Sequence, residues 1–107
     1  NLIKIKLPIM LNLKFKDSSE CAEYLFGDYR DETLIYKSMY ESIREGFDTN
    51  SDKIILAKVE FDEEPSIEMK LNRVDWIHNL NACLNYFEDD ENYEMCSDIK
   101  KLMADMG

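Results

Sequence analysis

The sequence predicts an α+β fold: a small, three-stranded, mainly antiparallel sheet covered on one face by helices, in the order β-α-α-β-β-α-α, ending in an α-helical hairpin. Three observations carry that expectation. Residues 3–15 alternate apolar and polar with period two, and two further strand-like runs, 53–61 and 66–71, lie one short turn apart. The remaining segments repeat their apolar residues at helical spacing. A chain of 107 residues with no internal repeat and no Pro-, Gly- or Ser-rich linker makes residues 1–107 a single domain.

In the first run, Ile3, Ile5, Leu7, Ile9, Leu11, Leu13 and Phe15 share one face, with Lys4, Lys6, Asn12, Lys14 and Lys16 between them. Pro8 lies on the outward register and cannot donate to a ladder, so the strand belongs at a sheet edge or carries a bulge. Asp17-Ser-Ser-Glu20 reads as a capping box for a short helix through Cys21, Ala22, Leu25 and Phe26 that ends near Gly27. A second helix begins near Asp31 and Glu32 and stops at Gly46 as its C-terminal cap, with Tyr36, Tyr40, Ile43 and Phe47 as its apolar stripe.

Ile54, Ile55, Leu56, Ala57, Val59 and Phe61 form a nearly continuous apolar run, as a central strand would. It joins the alternating Ile67, Met69 and Leu71 in a hairpin across a turn containing Glu63, Glu64 and Pro65. That connection is too short for a crossover, which rules out a wholly parallel sheet. Asn72 then caps a helix whose Ile77, Leu80, Leu84 and Phe87 share one face, with Trp76 and Cys83 widening it. Asn92 opens the last helix, carrying Cys96, Ile99, Leu102, Met103 and Met106. The lysine-bearing side of the first strand is the expected open face of the sheet.

The net charge is -10 and unevenly placed: residues 1–16 hold four lysines and no acid, leaving 9 basic against 23 acidic residues, -14, for the rest. Such a surface repels nucleic acid and anionic membrane. Neither direct partner is therefore expected. The acids bunch at Glu60, Asp62, Glu63 and Glu64, and again at Glu88, Asp89, Asp90 and Glu91, continued by Glu94 and Asp98. Cys21, Cys83 and Cys96 are odd in number, lack CxxC spacing and read as buried thiols of a reducing cytoplasm.

Catalytic and cofactor signatures are weak. His78 is the sole histidine and sits five residues from Cys83, about 140° around a helix at roughly 100° per residue. That placement suits no nucleophile pair, and one His with three dispersed Cys has no zinc-ligand spacing. Asp48, Asn50 and Asp52 have the first spacings of a calcium loop. However, Lys53 stands where the turn needs Gly, and Val59 where a closing Glu is needed. Three glycines, at 27, 46 and 107, make no phosphate cradle. No catalytic residue, metal site or cofactor is expected, and the protein is read as non-enzymatic.

Residues 92–103, Asn-Tyr-Glu-Met-Cys-Ser-Asp-Ile-Lys-Lys-Leu-Met, resemble the second half of the UVR helical hairpin. Tyr93, Glu94, Cys96, Ser97, Ile99, Lys100 and Met103 occupy its aromatic-Glu, small, aliphatic, basic and aliphatic places, and Leu80 and Leu84 suit the preceding helix. Lys101 replaces an acid, and Glu88 and Glu91 replace small or aliphatic residues. In that family the hairpin is a protein-docking element, so the resemblance, over residues 80–106, implies partner binding. In size, acidity and α+β build the chain also resembles phage-encoded inhibitors that mimic nucleic acid, including anti-restriction and anti-CRISPR proteins.

These features define the expected function. The protein is an interaction module whose acidic face occupies a basic, nucleic-acid-binding groove of another protein. Its contact residues are Glu63, Glu64, Glu88, Asp89, Asp90, Glu91, Glu94 and Asp98, with Tyr86 and Tyr93 as aromatic anchors. The setting is the cytoplasm, a host's if the chain is phage-encoded, and a homodimer is compatible with the open sheet face. The alternative is an adaptor or regulatory subunit that docks through its C-terminal hairpin, with Trp76, Tyr93 and Met106 as contacts and charge serving solubility alone.

Overall fold

The computed structural model describes residues 11–27 and 31–107. Its elements are β1 (Leu11–Phe15), α1 (Ser18–Phe26), α2 (Glu32–Asp48), β2 (Lys53–Phe61), β3 (Ile67–Asn72), a 3-10 turn at Arg73–Asp75, α3 (Trp76–Asp89) and α4 (Tyr93–Asp105). The expected β-α-α-β-β-α-α order and closing helical pair are present. The strand predicted over Ile3, Ile5, Leu7 and Ile9, with Lys4, Lys6 and Pro8, lies outside the described residues.

The sheet is mixed, which corrects the expected mainly antiparallel arrangement. Strand order is β1-β2-β3, with β1 parallel to β2 and β2 antiparallel to β3. Two helices separate β1 from β2, enough chain to return to the same end of the sheet, whereas the β2–β3 turn permits only an antiparallel neighbour. A bulge between Ile55 and Ala57 breaks the alternation of β2. Ile54, Ala57 and Val59 are consequently all buried, which accounts for the continuous apolar run of this central strand.

The open face carries Lys14, Lys58, Glu60, Glu68 and Lys70, joined by Lys14–Glu60 (3.8 Å), Lys58–Glu60 (3.7 Å) and Lys70–Glu68 (3.8 Å) ion pairs. On the other face, Leu11, Leu13, Ala57 and Met69 meet Leu25 of α1 and Ile35 and Met39 of α2 around an apolar cavity of about 80 Å³.

The main core is mostly helix against helix. Tyr40 and Ile43 of α2, Trp76, Leu80, Cys83 and Phe87 of α3, and Cys96, Ile99 and Leu102 of α4 form one buried cluster that touches the sheet at Ile54. The face of α3 is turned from the expected one: Trp76 and Cys83 lie at its centre and Ile77 is exposed. All three cysteines are free and buried. Burial raises the pKa of the Cys21 thiol, and pushes that of Cys83 up to about 12, while its Sγ–H donates to the Tyr36 carbonyl at 3.5 Å. Cys83 is therefore an inert thiol at neutral pH.

Helix ends follow local chemistry, with three departures. The Asp17 carboxylate accepts from Glu20 N–H (3.0 Å), and the Glu20 carboxylate reaches back to Lys16 N–H (3.4 Å), one residue earlier than a capping box requires. Helix α2 runs past Gly46 to Asp48. Its Schellman motif is closed by Asn50 (φ 54), with Asn50 N–H donating to the Phe47 carbonyl and Ser51 N–H to that of Gly46. Gly46 serves close packing instead of capping: a Cβ there would lie 2.5 Å from Ile54 Cγ2 and 2.9 Å from Trp76 Cη2. Asn72 precedes the 3-10 turn and makes no side-chain cap.

Candidate partner-binding surface

Eight carboxylates and two tyrosines form the predicted surface, and the fold divides them. Helix α3 runs antiparallel to α2. Its Trp76 end packs at Gly46 and Ile54, and its Tyr86 end reaches the start of α2, where the Tyr86 and Thr33 hydroxyls are hydrogen-bonded. The tip of the α3–α4 hairpin thus points away from the Gly46–Ile54 end of the molecule. Along β2 the chain also runs from that end, toward the turn that holds Glu63 and Glu64. Both acidic segments therefore lead away from the Gly46–Ile54 region, one along α3 and the other along β2.

At the hairpin tip, Glu88, Asp89, Asp90 and Glu91 are consecutive and exposed, and none has an ion-pair partner among the described residues. The backbone explains how four acids come together there. Asn92 N–H donates to the Phe87 carbonyl (2.9 Å) and Glu91 N–H to that of Glu88 (3.1 Å), a second Schellman motif. Asn92 then caps α4, its Oδ1 accepting from Met95 N–H at 3.2 Å. The motif needs a left-handed residue, and Glu91 occupies it at φ 57. A side chain there costs about 1–2 kcal/mol, so Glu91→Gly is expected to stabilise the fold by about 0.5–1 kcal/mol after glycine's greater unfolded-state freedom is subtracted. Chemical denaturation measures it; a loss of stability would mean that the Glu91 side chain holds the turn.

The other predicted residues behave differently. Glu63 is exposed on the β2–β3 turn, while Glu64 accepts from Ser18 N–H at 3.0 Å and so ties that turn to the start of α1. Glu94 is exposed and Asp98 half-buried on α4. Tyr86 is no free anchor: its ring stacks on Tyr36 (centroids 4.7 Å apart), meets Phe87 edge-on at 5.1 Å, and its hydroxyl bonds that of Thr33. Tyr93 is 67% exposed and available. Trp76, a contact of the adaptor alternative, is wholly buried and belongs to the core. The sequence gives no sign of the Glu64–Ser18 link or the Tyr86–Tyr36 stack, because each joins residues far apart in the chain.

His78 is exposed on α3. Among the described residues, no group of three or more His, Cys, Asp or Glu side chains is arranged to hold a metal ion. No described helix is long and apolar enough to cross a membrane. No protein-family model, curated protein or solved structure matches this chain.

Proposed function

We propose that the protein is a non-enzymatic interaction module that inserts its acidic end into a basic, nucleic-acid-binding groove of a partner protein, as an inhibitor of the nucleic-acid-mimic type. One observation carries this reading: the hairpin tip holds four consecutive exposed carboxylates with no ion-pair partner among the described residues, one of them in a left-handed conformation that glycine would adopt more cheaply. Like charges set side by side repel one another, and a cationic partner surface would relieve that repulsion. The carboxylates of Glu88 to Glu91, followed by Glu94 on α4 and joined by exposed Glu63 of the β2–β3 turn, take the place of phosphates, and Tyr93 supplies the aromatic contact next to the tip. Glu64 and Tyr86 leave the contact set, since both are engaged within the fold. A cytoplasmic setting and, by the resemblance in character, a phage origin belong to the same proposal.

The test is capture of the partner followed by elution along a salt gradient. Binding should weaken steeply with salt, and Asp89→Lys with Asp90→Lys should weaken it about tenfold or more at low salt, while Lys4→Ala or Lys6→Ala changes it little. Salt-insensitive binding overturns the mimic reading.

The adaptor reading is favoured by one feature, exposed Tyr93 at the start of α4 within the UVR-like segment. Tyr93→Ala would then abolish the complex while the acidic reversals leave it intact.

A further inference from the structure

Among the described residues the sheet has two edges, and they differ in charge. At one, β1 presents Lys14, followed by Lys16, cations of one sign that oppose pairing with another strand. At the other, β3 has a strand neighbour on one side only among the described residues, contains no proline and is exposed along most of its length. Its sheet irregularity falls on β2, between Ile55 and Ala57, so β3 itself is an unbroken run. Ile67 (50% exposed) and Met69 (39% exposed) stand on its helix-side face, and Glu68 and Lys70, of opposite sign, on its open face.

We propose that β3 pairs antiparallel with β3 of a second copy of this chain, with Met69 on the two-fold axis, joining two three-stranded sheets into one. The register follows from hydrogen-bond parity. Arg73 N–H donates to the Asp52 carbonyl across the β2–β3 ladder at 2.7 Å, and bonding direction alternates along an antiparallel strand. Leu71, Met69 and Ile67 therefore turn their main-chain groups toward β2, and Asn72, Lys70 and Glu68 turn theirs outward. Two-fold pairing of the outward residues allows three nearby registers. Two of them oppose Glu68 to Glu68 or Lys70 to Lys70, like charges face to face. The third, centred on Met69, sets Glu68 against the partner's Lys70 and Lys70 against the partner's Glu68.

That register also matches both faces. On the open side, Lys58 lies beside Glu68 across the existing ladder, so the partner's Lys70 continues a row of alternating charge. On the helix side, Met69 meets its symmetry mate, and exposed Ile67 meets the partner's Leu71, removing apolar surface from water. The hairpin tip takes no part, so this inference stands or falls separately from the proposed function.

Analytical ultracentrifugation of the full chain at physiological salt, where screening limits repulsion between two copies of net charge -10, tests it. The chain should dimerise reversibly. Glu68→Lys and Lys70→Glu should each weaken the dimer about tenfold or more, and the double exchange should restore it to within about threefold. The decisive arm mixes the two single variants: each repels itself, yet Glu68→Lys against Lys70→Glu restores every opposite-charge contact, so the mixture should form a heterodimer. Both substitutions are on the exposed open face, and circular dichroism checks that each variant is folded. A wild-type chain that stays monomeric to about 200 µM, or a mixture no more associated than its components, overturns the proposal.

Discussion

Trp76→Ala is expected to cost about 3–5 kcal/mol of folding stability, the largest effect of any single substitution considered for this chain. Its ring is completely buried where α2, β2 and α3 converge, in contact range of Gly46 and in one cluster with Ile54 and Leu80. Polar groups hold it as well: its indole N–H donates to the Leu71 carbonyl at 3.3 Å, and the Arg73 guanidinium lies 5.2 Å from its ring. Arg73 in turn donates to the Ser51 carbonyl (3.0 Å) and Asn50 Oδ1 (3.3 Å), so the indole is locked to the loop that joins α2 to β2. Urea titration followed by circular dichroism measures the loss. Trp76→Phe, which keeps an aromatic ring but not the N–H, should fall between the two. A near-neutral Trp76→Ala would contradict the convergence of α2, β2 and α3 on this side chain.

Gly46→Ala is expected to destabilise by about 1–3 kcal/mol, opposite in sign to helix propensity, which favours alanine over glycine inside a helix by about 1 kcal/mol. Gly46 is the point where α2 comes closest to Trp76 and Ile54, and the added methyl would overlap Ile54 Cγ2 at 2.5 Å. Neither neighbour can yield easily, since the Ile54 atom is branched at Cβ and the Trp76 ring is enclosed. Combining Gly46→Ala with Ile54→Ala, which removes the overlapping methyl, should cost less than the sum of the two single changes. A simple gain in stability from Gly46→Ala would mean that α2 does not approach Trp76 this closely.

The same glycine marks a limit of reading by local rules. A glycine near the end of an apolar-periodic helix is the ordinary signal of a C-terminal cap, yet α2 continues to Asp48 and lets Asn50 take the left-handed position. The glycine is required by the Ile54 methyl and the Trp76 ring, eight and thirty residues later in the chain, which leave no room for a Cβ. Tyr86 shows the corresponding limit at the candidate site. Its closeness to the acidic run in sequence makes it look like an interface anchor, but the start of α2 has already claimed both its ring and its hydroxyl. Glu64 likewise reads as one more acid of a turn until α1 begins beside it and its carboxylate receives the Ser18 N–H.

The sequence by itself determined the α+β class, the order of elements, the β2–β3 hairpin and the burial of the cysteines, because period, turn length and capping residues act over a few neighbouring positions. It also determined the run of acids from Glu88 to Glu91, a matter of composition. Only the tertiary structure decided that β1 joins β2 in parallel, that α3 turns Trp76 and Cys83 inward and leaves Ile77 exposed, and that Glu64 and Tyr86 are engaged within the fold. Those outcomes depend on which surfaces meet across long sequence separations, and periodicity within one element cannot distinguish between partners on another.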